Sequence, residues 1–154
     1  MIIIDFATIQ DFEEYRPFDP HSKYINPDLI KSKIKNSEII IAKENSELVG
    51  LLRLNYIWST RPYIEFIFVK QEKRNLGIGK QLLQFLENYL IKNEYAYLFS
   101  SSEEQDVYAI GWHKKNGFME MGKLTDLNLP HDKTAEVFFC KKISNIGKLR
   151  EYDI

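Results

Sequence analysis

The stretch from Ile64 to Leu83 constrains the fold more than any other part of the chain, because it reads as a buried strand, a short basic turn, two glycines and a helix in direct succession. Ile64 to Val69 is a short apolar run rich in β-branched and aromatic residues. From Ile78 onward, Ile78, Leu82, Leu83, Leu86, Tyr89 and Leu90 recur at helical spacing. The segment between them is therefore a strand-to-helix crossing. Such a turn presents the free N–H groups of the helix's first turn at the positive end of its dipole. Gly77 and Gly79 have no side chain to hold a ligand away from that backbone. Chemically this is an anion cradle.

Two familiar phosphate loops do not fit it. A Walker loop needs a hydroxyl after the lysine to hold a metal, and Gln81 follows Lys80. A dinucleotide fingerprint needs a third glycine three positions after Gly79, where Leu82 stands. What remains, Arg74-x-x-Gly77-x-Gly79 after a strand ending at Val69, resembles the pyrophosphate loop of the GNAT superfamily of N-acetyltransferases. About thirty residues further on, Ala109 to Phe118 resembles the second signature of that family, a helix end running through Lys114, Lys115 and Asn116 to Gly117 and Phe118. The resemblance covers residues 1–143, read as one transferase domain, and leaves 144–154 as a C-terminal tail. It implies the acyl-CoA N-acyltransferase fold, α+β with a mixed, mostly antiparallel sheet of six to seven strands flanked by about four helices.

The order of elements agrees with that expectation. Ile2 to Phe6 reads as a strand, and Thr8 caps a short helix carrying Ile9, Phe12 and Tyr15 that Pro17 and Pro20 stop. Asn26-Pro27-Asp28 opens a second helix. Ile39 to Lys43 and Leu48 to Ile57 form a hairpin, and a turn at Ser59 to Pro62 returns the chain to the apolar strand. Further strands are expected at Tyr95 to Ser100, Phe118 to Leu124 and Ala135 to Lys141, with a helix from Glu103 to Asn116.

Composition narrows the function classes. At 154 residues, 44% hydrophobic and 28% charged, the chain is an ordinary globule long enough to bury about two thirds of its unfolded surface. A net charge of -1, from 21 basic against 22 acidic residues, gives no pull toward nucleic acid or an anionic membrane. No apolar run approaches membrane-spanning length, and Met1 to Asp5 lacks the basic flank of a signal peptide. Cys140 is the one cysteine, set in the apolar run Val137 to Cys140 and read as core. A single thiol fits a reducing compartment, so the expected location is the cytoplasm. His21, His113 and His131 are scattered, and no metal site is expected.

The resemblance implies acetyl-CoA as cosubstrate and direct transfer to a primary amine of a small molecule or peptide. Its pyrophosphate would rest on the backbone of Asn75, Leu76, Gly77, Ile78, Gly79 and Lys80, with Arg74 and Lys80 adding charge, and its pantetheine arm on the main chain of Ile67, Phe68 and Val69. Two side chains are candidates for the chemistry. Glu65 is the only ionisable group between Tyr63 and Val69 and, on alternation, shares a face with both. It reads either as the base that deprotonates the acceptor or as the partner of Arg53 or Arg61. His113 stands where the family usually has the tyrosine that protonates the departing thiolate, and it reads either as a proton donor or as a packing residue. Asp106 stands where the family often has an asparagine touching the coenzyme, and a carboxylate suits phosphates poorly. Tyr15, Phe18, His21 and Tyr24 are candidate acceptor contacts, and 17–26, 55–62 and 125–133 are the segments that would select the acceptor. The rival readings are an acyl-CoA-binding module of the same fold without turnover, and an interaction protein without coenzyme. Monomer and homodimer both stay open, with the tail and final strands as a dimer edge.

Overall fold

The computed structural model describes residues 1–125 and 134–145. Seven strands lie in the sheet order β1-β2-β3-β4-β5-β7-β6. They are β1 Ile2–Phe6, β2 Ile39–Glu44, β3 Glu47–Ile57, β4 Arg61–Val69, β5 Tyr97–Glu103, β6 Met119–Leu124 and β7 Glu136–Lys142. Four helices accompany them: α1 Phe12–Phe18, α2 Pro27–Lys35, α3 Ile78–Lys92 and α4 Val107–Lys115. The expected fold class, strand count and helix count are all present. No helix among the described residues is long and apolar enough to cross a membrane. The expected tail from Ile146 and most of the segment 125–133 lie outside the described residues.

Several boundaries differ from the sequence reading, the first being the start of the first helix, where Thr8 precedes a 3-10 turn at Ile9–Asp11 and α1 begins at Phe12. Pro17 lies inside α1 and does not stop it. A proline has no N–H to give to the carbonyl four residues back, but one residue from the helix end no further turn depends on it, and the Asp19 N–H still reaches the Tyr15 carbonyl at 2.9 Å. Arg61 and Pro62 belong to β4, so the turn closes earlier, at Trp58 and Ser59, both with positive φ. Finally, β5 runs to Glu103 and α4 begins at Val107, because Asp106 caps that helix by accepting the Ala109 N–H at 2.9 Å.

The described chain divides into two compact units, Met1–Asn55 with Glu65–Asn88, and Tyr56–Ile64 with the described residues from Tyr89 onward. In the first, β1 pairs antiparallel with β2, and β2 with β3. Its core gathers Phe12, Tyr15, Ile30, Ile34, Ile39 and Leu51, with Phe18, Phe66 and Phe68 packed against them. Asn26 caps α2 as expected, accepting the Asp28 N–H at 2.8 Å. At Gly50 of β3 the helix α3 packs tightly: an added Cβ would meet Ile78 Cγ2 and Leu82 Cδ1, each at 3.2 Å. The start of α3 therefore rests directly on the strand backbone.

In the second unit β7 lies between β5 and β6 and pairs antiparallel with both, while β4 pairs parallel with β5 at Tyr63–Phe99 and Ile64–Ser100. Ile64, Leu90, Leu98, Phe118, Val137 and Phe139 are among its buried apolar residues, and His113 is also buried. Cys140 is half-buried in β7, and burial pushes its thiol pKa up, which keeps it protonated and unreactive.

Candidate active site

The crossing from β4 to α3 is built as its sequence suggests. The Lys70 N–H bonds the Val49 carbonyl at 2.9 Å, which ties the end of β4 to β3. One 3-10 turn at Gln71–Lys73 follows, then Asn75 with φ +61° and Gly77 with φ +84°, and α3 begins at Ile78. The first helical hydrogen bond runs from the Gln81 N–H to the Gly77 carbonyl at 3.0 Å. Ile78, Gly79 and Lys80 precede that bond, and a helix supplies no carbonyl for their N–H groups. A Cβ on Gly77 would meet nothing within 4 Å, so this glycine is required by its backbone angle and leaves open space above the turn.

Arg74 folds back across the same turn. Its Nε donates to the Val69 carbonyl at 2.9 Å and its guanidinium lies 5.7 Å from the Phe68 ring centre. Lys70 and Lys73 are paired with Glu72 and Glu44. Among the described residues, Arg74 and Lys80 have no carboxylate partner. The predicted coenzyme residues Arg74 to Lys80 therefore come together on one surface, with two cations that have no carboxylate partner among the described residues and the free end of a fifteen-residue helix. Ile67, Phe68 and Val69 form the strand end that leads into it.

Glu65 lies in the same unit and ends a chain of charges. Arg53 Nε donates to Glu65 Oε2 at 2.9 Å, and Lys33 Nζ stands 3.7 Å from the same oxygen. Behind them Arg53 Nη1 donates to Asp19 Oδ2, to which Tyr15 also donates its hydroxyl at 2.7 Å. The His21 N–H closes the other side, donating to Asp19 Oδ1 at 2.9 Å. Lys33 Nζ is further held by Glu38 Oε2 at 3.2 Å and the Leu54 carbonyl at 2.9 Å. Side-chain exposure grades outward along this chain, from 0% for Asp19 and 4% for Arg53 through 8% for Lys33 to 33% for Glu65. Burial works against the Arg53 charge, but Tyr15, Asp19 and Glu65 outweigh it and hold the guanidinium pKa above its usual value. Burial and the bond to Asp19 push the Tyr15 phenol up, so it stays a donor.

The structure thus gathers Tyr15, Phe18 and His21 of the predicted acceptor wall around this chain. The His21 ring lies 4.2 Å from that of Phe66, Arg53 lies over Phe66 at 5.1 Å, and Phe18 meets Phe68 edge-on at 5.5 Å. Tyr24 is 80% exposed, with Lys23 Nζ over its ring at 5.0 Å. Glu65 and Phe66 are consecutive, yet both reach Arg53. Strict alternation, which sends neighbours to opposite faces, does not describe this point of β4. Sequence reasoning offered Arg53 only as one partner for Glu65 and passed over Asp19 and Lys33. The available signal was Arg53 itself, a charge inside the apolar run Leu48 to Leu54, which must find a buried counter-charge.

His113 belongs to the second unit. Its Nδ1 is 2.7 Å from the Ala109 carbonyl, which can only accept, so the ring proton is assigned to Nδ1 and Nε2 accepts from the Ser100 hydroxyl at 2.7 Å. The ring stacks on Phe139 at 4.4 Å, with Phe118 against its edge. Burial lowers its pKa, partly offset by the bond to Ala109. Asp106, the doubtful coenzyme contact, caps α4. Sequence reasoning did not single out a further polar chain here, in which Tyr63 bonds the Ser101 hydroxyl and Ser101 donates to Glu136 Oε1 at 2.7 Å. Burial raises the Glu136 pKa.

The buried neutral imidazole has a consequence for stability. The unfolded chain takes up a proton near pH 6.5 while folded His113 resists it, so between that value and the lower folded pKa the unfolded state binds more protons. Stability is therefore expected to fall as pH drops below about 6.5. Thermal melts of His113→Phe, compared between pH 7 and pH 5.5, are expected to lack this part of the slope, and an unchanged slope overturns the assignment.

Comparison with known proteins adds the following. The model of the family described as "Acetyltransferase (GNAT) family" matches residues 5–118. No curated protein sequence matches the chain. Among solved structures, an acetyltransferase of the GNAT family from Bacillus cereus is 23% identical with a TM-score of 0.73, over 92% of this chain and 97% of that one. The ribosomal-protein-S18-alanine N-acetyltransferase of Escherichia coli is 17% identical with a TM-score of 0.79, over 97% and 98%. A Bacillus anthracis protein assigned as a streptothricin acetyltransferase, solved in complex with acetyl coenzyme A, is 22% identical with a TM-score of 0.63, over 68% and 61%.

Proposed function

The chain belongs to the GNAT family of acetyltransferases, and from that premise we propose that it moves the acetyl group of acetyl-CoA directly to a primary amine, with 1–143 as the transferase domain. The observation that carries this reading is the turn from Arg74 to Lys80, where helix N–H groups, an open glycine and two cations without carboxylate partners among the described residues meet.

Acetyl-CoA supplies an activated thioester carbonyl. The protein's part begins with the N–H groups of Ile78, Gly79 and Lys80, which suit a pyrophosphate, with Arg74 and Lys80 matching its charge. Main-chain groups of Ile67, Phe68 and Val69 are suited to hold an extended arm by strand-like pairing, a task that tolerates many side chains. Glu65 receives the acceptor's ammonium and takes up or passes to water the proton that the amine must lose before it attacks. His113 stands outside the reaction in this reading, because its single ring proton is committed to the Ala109 carbonyl. Water then supplies the proton needed on departure of the sulfur.

Calorimetric titration with acetyl-CoA, followed by a free-thiol assay over a panel of primary amines, tests the proposal. Micromolar binding with amine-dependent thiol release is expected. Binding without release for any amine favours the non-catalytic acyl-CoA-binding module, and absence of binding overturns both.

A further inference from the structure

We propose that the acceptor is a cationic amine without a carboxylate in reach of the site, and that Glu65 enforces this choice. The inference rests on the reading above, in which the acceptor amine meets Glu65.

Three carboxylates, Asp19, Glu38 and Glu65, face two cations, Arg53 and Lys33, in one connected network, so one negative charge is left over. Its place is decided by exposure. Asp19 is sealed by Arg53, Tyr15 and the His21 N–H, while Glu65 is the most exposed of the five. Within Glu65 the two oxygens differ. Oε2 takes both Arg53 and Lys33, and Oε1 has no partner among the described residues. The surplus charge therefore emerges at one oxygen that is free to accept from an ammonium.

Both cations are spent. Arg53 is divided between Glu65 and Asp19, and Lys33 among Glu38, Glu65 and the Leu54 carbonyl. An acceptor bringing a carboxylate would meet Glu65 Oε1 with neither of these cations free to pair it, and like charges so juxtaposed are strongly disfavoured. The exposed His21 ring on Phe66 offers an apolar flank next to the charge, where the methylene chain of an alkylamine can lie.

Putrescine and γ-aminobutyrate provide the test, since each has four carbon atoms and a primary amine and they differ in whether the far end is a cation or an anion. With acetyl-CoA binding measured on the same preparation, kcat/KM for putrescine is expected to exceed that for γ-aminobutyrate at least about tenfold. The preference should shrink at high salt. In Glu65→Gln the ratio is expected to collapse toward unity, mainly through a raised KM for putrescine, and Glu65→Asp is expected to restore it in part. Because the ratio is taken within one variant, a general loss of activity does not imitate the effect. If acetyl-CoA fails to bind, the functional reading falls and takes this inference with it. If the coenzyme binds and γ-aminobutyrate is used as well as putrescine, putrescine is not used, or Glu65→Gln keeps the wild-type ratio, the inference alone is overturned.

Discussion

Gly77→Val is expected to weaken acetyl-CoA binding by more than tenfold while the protein still folds. The reasoning turns on what the glycine does. Nothing lies within 4 Å of where its Cβ would stand, so a larger residue creates no clash inside the protein. Its φ of +84° is the obstacle, because a β-branched residue is strained there by about 1–3 kcal/mol. The chain can relieve that strain only by rotating the peptides that aim the N–H groups of Ile78 and Gly79. Added side-chain bulk above the turn removes the open space as well. Gly77→Asn separates the two causes, since asparagine tolerates the left-handed region. Titration calorimetry is expected to find it intermediate, and wild-type affinity in Gly77→Val would show that the turn does not hold the coenzyme.

The second large effect is expected at Arg53. Arg53→Met removes the one cation that Asp19 pairs with among the described residues and leaves a fully buried carboxylate facing the Tyr15 hydroxyl and the His21 N–H. Breaking a buried pair from one side costs about 3–5 kcal/mol, which for a chain of this size lowers Tm by about 10 °C. The double variant Asp19→Asn/Arg53→Met is expected to recover a good part of the loss, because the uncompensated charge is then gone. Chemical denaturation of the four proteins in the cycle measures this directly. Additive losses would mean that the two residues are not coupled as their geometry indicates.

The parts of this molecule that could be read from its sequence are those whose causes are local. A strand, two glycines and the apolar spacing from Ile78 to Leu90 specify the crossing within about twenty-five residues, and it folds as those residues suggest. The cap at Asn26 and the count of strands and helices follow from similarly short-range signals. The charge network is a different case. Tyr15, Asp19, Lys33, Arg53 and Glu65 come from two helix segments and two strands, and apart from the helical spacing of Tyr15 and Asp19 no spacing rule links them. Lys33 sits between Ile30 and Ile34 on the buried side of α2, where a periodicity argument takes it for an ordinary surface lysine. His113 was legible as a position but not as an environment, because its two partners are an alcohol on β5 and a carbonyl one turn back. Pro17 misled for a physical reason: a proline ends a helix only when more helix would have followed.

Gly50 of β3 packs against the first turn of α3, and its missing side chain acts as a machined clearance. Ile78 and Leu82 occupy the room that a single methyl group would need, and close-packed interiors transmit such a displacement instead of absorbing it. The elevation of the first turn of α3, and with it the aim of the N–H groups proposed to hold a pyrophosphate, is thus set from behind by an atom that is not there. In the proposed function, a residue that never meets the ligand serves as the gauge of its seat.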